Sequence, residues 1–313
     1  MRFALIRGEE LPSPARKGMY IFCSDHGVVE EGVSAYPQSV TRQMVRNFID
    51  GGAAINVLCR KNQIRPTIVD IGVNGQTLPG VLDRKIAPGT QNMTLRPAMS
   101  REEAERSIAI GRELAADAVS QYDMVGLGEM GIGNTTAATA LLCVFGQQGP
   151  ERITGRGAGL PPEAVEHKAE VIRRALVLHR PSADDPIGAL ASVGGFEMGA
   201  IAGFLLEASQ RKLPVVLDGF PCCSGALIAR ALDPNSLGST FFAHRSQEQG
   251  HATMLNVLGA EPLFDLGMRL GEGSGAALAM NLIDAAVRLY REMATFQEAG
   301  VSKSDAARSS ELV

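Results

Sequence analysis

Four short apolar runs, Met19–Cys23, Thr67–Val73, Asp123–Leu127 and Pro214–Leu217, each end at glycine or polar residues and are separated by helical periodicities. That alternation constrains the chain to an α/β fold, a mainly parallel sheet covered by helices on both faces. In such sheets the carboxyl ends of the strands present the ligand-binding groups. Pro37 can open a helix whose stripe Val40, Met44, Val45 and Phe48 stops at Gly51-Gly52. Ser100-Arg101-Glu102-Glu103 has the capping-box pattern of a helix running to about Gln121. Pro161-Pro162 starts another, with Lys168 in its second turn, and the run from Ala276 to Phe296 reads as one long amphipathic helix. Residues from about Gly300 onward are small and polar, as in a frayed tail.

Composition narrows the function. The 313 residues carry a net charge of −4 and a pI near 5.8, which disfavours a nucleic-acid or anionic-membrane surface. Glycine reaches 35 residues while Trp is absent and aromatics are 5%, which suits backbone-lined sites for a small polar ligand and not a base-stacking platform. Five cysteines without C-x-x-C spacing read as reduced, buried thiols of a cytoplasmic protein, with a redox role for the vicinal Cys222-Cys223 pair as the minority reading. No signal-peptide pattern precedes Met19. The longest apolar run, Ala189 to Leu206, contains Glu197 and glycines and reads as a buried helix, not a membrane span.

Three glycine-rich loops are candidates to carry the chemistry. In VGLGEMGIGNTTAATALL, a strand enters a loop with Gly126, Gly128, Gly131 and Gly133 before Asn134-Thr135-Thr136 opens a helix. Helix N-terminal amides with glycine neighbours form an anion site, yet the spacing matches neither a P-loop nor a dinucleotide fingerprint. A strand–helix turn that merely needs glycine is an equal alternative; Glu129 in an otherwise apolar loop tilts the reading toward function. In TGRGAGLPPEAVEHK, Gly155, Gly157 and Gly159 precede the helix bearing Lys168, which fits a phosphate or carboxylate clamp or else a plain surface loop. In RLGEGSGAALAM, Glu272 stands between Gly271 and Gly273, placed as a general base or as a helix-terminal dipole partner.

Smaller clusters follow strands: Asp25-His26, in which Asp25 can orient His26 or either can touch a ribose, and Asp218-Gly219-Phe220. His244-Arg245-Ser246, with Glu248 and His251, fits either a phosphate contact or a structural polar network. The five histidines show no H-E-x-x-H or H-x-H spacing, so neither a metal nor a cofactor is expected. No G-x-S-x-G elbow is present, and triad chemistry has no support.

In order, SDHGVVEEGVSAYPQSVT, GGAAINVL, VDIGV, VGLGEMGIGNTTAA, TGRGAGL, VGGFEMGAIAG, PVVLDGF, HRS and LGEGSGAALAM resemble the nicotinate-nucleotide–dimethylbenzimidazole phosphoribosyltransferase family over about Met19 to Gly300. The resemblance implies a three-layer α/β/α Rossmann-like fold, with a large catalytic domain over 18–275 and a small helical domain from 1–17 and 276–313. It implies phosphoribosyl transfer from nicotinate mononucleotide to 5,6-dimethylbenzimidazole by single displacement with inversion, in cobamide lower-ligand assembly. On the matching positions, it makes Glu272 the general base and Glu129 and Lys168 further active-site groups. It assigns phosphate and ribose to Gly131, Asn134, Thr135 and Thr136 and to Gly155, Gly157 and Gly159, and the benzimidazole to Tyr36, Met44, Met130 and Leu270. A homodimer taking only small-molecule substrates is also implied. The family's usual N-terminal K-P-P-G-S-L-G stretch is absent from MRFALIRGEELPSPARKG, so the small domain is expected to be short on that side. Two alternatives stand beside this reading. One is the same chemistry on adenine, another benzimidazole or a phenol; the other is a non-catalytic nucleotide-binding protein.

Overall fold

In the computed structural model, which describes residues 1–302, seven strands form one sheet. They are β1 (Lys17–Ser24), β2 (Ile64–Gly72), β3 (Leu82–Asp83), β4 (Met124–Met130), β5 (Val215–Leu217), β6 (Thr240–His244) and β7 (Pro262–Phe264). Every pairing is parallel, and the order is β3-β2-β1-β4-β5-β6-β7. The helices are α1 (Arg2–Arg7), α2 (Ser39–Asp50), α3 (Ala54–Asn62), α4 (Arg101–Gln121), α5 (Asn134–Gly146) and α6 (Pro150–Ile153). They continue with α7 (Pro162–His179), α8 (Pro186–Val193), α9 (Phe196–Gln210), α10 (Phe220–Leu232), α11 (His251–Leu258) and α12 (Ser274–Glu292).

β1 is buried at all eight positions because it pairs on both edges and is covered on both faces. Successive side chains take opposite sides. Tyr20 and Phe22 join the core shared with Phe204 of α9, while Met19 and Ile21 join the core shared with Met280 of α12. Helices α1, α2, α3 and α12 cover the second face, and α4, α5 and α8 to α11 cover the first. The chain runs outward from β1 through β2 to β3, then returns to the other side of β1 as β4. That reversal opens a crevice at the carboxyl ends of β1 and β4, where ligands of such sheets bind.

The capping box forms as read: the Ser100 hydroxyl accepts from the Glu103 amide at 3.1 Å, and the Glu103 carboxylate accepts from the Ser100 amide at 2.8 Å. One expectation changes. The apolar run from Ala189 to Leu206 is two helices, α8 and α9, because the chain breaks at Gly194-Gly195. A Cβ on Gly195 would lie 2.4 Å from Cε1 of His26, so the break admits that ring. The long last helix stops at Glu292, short of Phe296. From residue 303 on, the expected polar tail lies outside the described residues. None of the described helices is long and apolar enough to cross a membrane.

Candidate active site

The crevice between β1 and β4 continues into a cleft lined by Glu129, Met130, Gly131, Asn134 and Thr135 from β4 and α5. Gly157 joins from the loop before α7, and Leu270 and Glu272 from the loop before α12. Two of the three glycine-rich loops thus contribute their acidic residues to one cavity, and the third contributes Gly157. Thr136 is buried in the first turn of α5 with no partner for its hydroxyl. Gly155, Gly159 and Lys168 stand outside the lining, as do Tyr36, half-exposed, and Met44, which packs against the second core.

Glu272 is held in a left-handed conformation, φ 63°, between Gly271 and Gly273, which are also left-handed. A glutamate in that region is strained, and the loop around it must be fixed by its neighbours. One fixture is Asp218, beyond the end of β5, whose two carboxylate oxygens accept the Gly273 and Ala276 amides at 3.0 Å each. Another is Gly128 of β4: a Cβ there would lie 2.6 Å from the Glu272 carbonyl, so the base loop lies directly on the strand. The Glu272 carboxylate accepts the Ile55 amide at 3.1 Å. Burial raises its pKa and the nearby Asp218 charge adds to this, while the Ile55 amide opposes the shift.

Glu129 is 5% exposed and accepts from the Asn134 side-chain amide. Burial, with the charges of Asp218, Glu197 and Glu272, pushes its pKa up to about 8 against the Asn134 hydrogen bond. At neutral pH it is therefore a protonated acid, able to donate. Because the folded chain holds this proton from its ordinary value of 4.5 up to about 8, stability falls as pH rises through that window. The slope has a ceiling of about 1.4 kcal/mol per pH unit. Glu129→Gln is expected to flatten the decline in melting temperature between pH 5 and 8, as read by calorimetry. An unchanged slope would contradict the buried neutral acid.

Lys168 is fully buried and sits behind the lining, donating to the Thr135 hydroxyl at 2.8 Å and to the Gly155 carbonyl at 3.5 Å. Burial lowers its pKa to about 8, with Glu248 opposing. It supports the cradle of Thr135 and Gly157 from beneath. Glu248 also accepts the Gly157 amide at 3.3 Å.

Two of the smaller clusters resolve. His26 pairs with Glu197 of α9 at 2.8 Å, whereas Asp25 accepts the Asn74 amide, so Asp25 does not orient His26. This partnership spans 171 residues and left no local signal. The His244–His251 segment forms a polar network at the cleft edge. The Ser246 amide donates to Nδ1 of His251 at 2.7 Å, leaving Nε2 to face Cys223 Sγ at 3.3 Å, and burial drops the pKa of that ring to about 3. All five cysteines are free and buried. Among the described residues no group of three His, Cys, Asp or Glu is arranged to hold a metal ion. The cleft is also lined by Phe220 of the Asp218-Gly219-Phe220 cluster, and by Val33, Ser34 and Arg269, which sequence reading did not single out. Their neighbours Tyr36 and Leu270 were the available signal.

A family model described as a phosphoribosyltransferase matches residues 1–301. The nicotinate-nucleotide–dimethylbenzimidazole phosphoribosyltransferase of Geobacter sp. strain M21 is 49% identical over 304 residues, covering 96% of this chain and 87% of that protein. The enzyme of the same name from Geobacter metallireducens is 50% identical over 309 residues, covering 96% and 86%. The crystal structure of CobT from Thermus thermophilus superposes with a TM-score of 0.92 at 47% identity, covering 97% of this chain and 91% of that one. The chain therefore belongs to the nicotinate-nucleotide–dimethylbenzimidazole phosphoribosyltransferase family.

Proposed function

We propose that this protein transfers the phosphoribosyl group of nicotinate mononucleotide to 5,6-dimethylbenzimidazole. The products are nicotinate and α-ribazole 5′-phosphate, for the lower ligand of cobamides. The observation that carries the reading is the placing of Glu272 and Glu129, in different ionisation environments, in one cleft with Asn134, Thr135 and Gly157. The chemical demand on the protein is small. The bond from ribose C1′ to the pyridinium nitrogen breaks, and nicotinate leaves with a neutral ring that needs no acid. A benzimidazole nitrogen attacks C1′ from the opposite face, which converts the β-glycoside to α. Its N–H proton passes to Glu272, whose raised pKa makes it the stronger base.

Glu129, protonated, is a hydrogen-bond donor in the same cleft and adds no second charge against an anionic substrate. The α5 N-terminus has no side-chain cap, leaving its first turn to a phosphate or ribose oxygen, with Lys168 supplying positive charge through Thr135. Tyr36, Met44, Met130 and Leu270 are assigned to the acceptor ring on the resemblance.

We place the protein in the cytoplasm, which five free buried thiols support. Small molecules are its only proposed substrates, in keeping with the net charge of −4. A homodimer is supported by the apolar groove that Phe3, Leu282 and Tyr290 share on one side. The same groove supports grouping residues 1–17 with the α12 segment of the expected 276–313 portion as a small helical unit. Incubation with nicotinate mononucleotide and dimethylbenzimidazole is expected to give a riboside phosphate by mass detection. Nucleotide binding without product would refute the enzyme reading, and a panel of competing bases reads out the acceptor.

A further inference from the structure

Glu31 closes the 3-10 turn Gly27–Glu31, two and three residues before Val33 and Ser34, which line the cleft. Its carboxylate collects three donors from two other segments. The Asn92 side-chain amide (2.8 Å) and the Thr94 hydroxyl (2.9 Å) reach one oxygen, and the Arg174 guanidinium (2.6 Å) reaches the other. Its carbonyl accepts a fourth bond, from Nε2 of His167 at 2.6 Å. Arg174 and His167 both lie on α7, and His167 immediately precedes Lys168. On the far side of Pro161-Pro162, the loop feeding α7 supplies Gly157 and Ala158 to the same lining.

A surface ion pair normally contributes little. Here one residue ties the strand-end loop of β1 to the helix that carries Lys168 through two bonds, and to the Asn92–Thr94 segment through two more. The Asn92 and Arg174 contacts hold its carboxyl down to about 2, so the tie stays charged at any working pH.

We propose that Glu31 is a positioning residue that sets the separation of two cleft walls, Val33–Ser34 and the Gly157–Lys168 segment, and thereby couples the two substrate sites. The inference rests on the transfer reaction proposed above. Glu272 is held by the Ile55 amide and by Asp218 through Gly273, not by this tie. Loosening the tie therefore acts on the binding of both substrates and leaves the reacting geometry in place.

The test compares Glu31→Gln, Arg174→Gln and the double variant with wild type, measuring KM for each substrate and kcat. Each single change is expected to raise both KM values by about tenfold, the scale of one lost charge-assisted contact, with kcat little changed. The double variant should be no worse than the weaker single, because both changes cut the same tie. A KM rise for one substrate only, a lowered melting temperature with unaltered KM values, or effects that multiply in the double variant each overturn the proposal. Arg174 is more exposed than Glu31, 44% against 20%, so its replacement leaves the fold intact if Glu31→Gln does not. Should wild type form no product, the transfer reading fails on its own. Calorimetric binding of nicotinate mononucleotide then decides for the tie: about tenfold weaker binding in Arg174→Gln sustains it, and equal binding overturns it.

Discussion

Replacing Glu272 by Gln is expected to leave the fold intact and to lower turnover by about two to four orders of magnitude, the range of a lost general base. The amide keeps the size of the side chain, and its carbonyl can still accept the Ile55 amide that holds the carboxylate at 3.1 Å. What it loses is the capacity to take a proton from the incoming base. The backbone there is strained independently of the side chain's charge, with φ 63° fixed by Asp218 and the contact with Gly128, so the melting temperature should move little. Single-turnover rates and calorimetry on the same sample separate the two effects. Wild-type turnover in the variant would remove Glu272 from the mechanism.

The largest effect on stability is expected far from the cleft, where α4 and α9 cross. A Cβ on Gly203 would lie 1.9 Å from the Ile108 carbonyl oxygen, and one on Gly111 would lie 1.9 Å from that of Ala200. These obstacles are backbone atoms of the partner helix, so no side-chain rotation relieves them. Gly203→Ala should therefore force the helices apart, uncoupling Phe204 from Tyr20 and Phe22 in the core. The cost is about 3 kcal/mol, a fall of roughly 5 °C in melting temperature for a chain of this size. Gly238→Ala is the control: its added methyl meets only ordinary contact, 3.4 Å from the Asn235 carbonyl, and should be close to neutral. Equal melting temperatures for the two variants would mean that the crossing is not close-packed.

Much of this was legible in the sequence, for reasons visible in particular residues. β1, β4, β5 and the second half of β2 read as largely apolar runs because both their faces are covered, and α4 announces itself through its Ser100–Glu103 cap. β3, with two residues, and β7, with three beginning at a proline, are too short for any periodicity to show. β6, TFFAH, gave no more than a pair of phenylalanines before a histidine. The loops of Glu129 and Glu272 could be picked out because glycine frames them. That they lie against one another could not, since the contact of Gly128 with Glu272 spans more than 140 residues. The same limit hid the His26–Glu197 pair and the break between α8 and α9 that accommodates it. An apolar run reports burial, and a glycine pair inside it reports a bend only when something distant must fit there.

The order of the strands also bears on when the molecule becomes competent. Glu272 and α12 come last in the chain, yet α12 packs onto the central part of the sheet, with Lys17 at the start of β1 paired to Asp284 at 3.0 Å. Synthesis proceeds at about 5–20 residues per second, and the strands up to β7 emerge before the proton acceptor does. Until that point the chain holds the segments of the glycine cradles, Lys168 and Glu129 but lacks the group proposed to accept the acceptor's proton. Docking of α12 thus brings the proton acceptor to the cleft in the same step that covers the second face of the sheet.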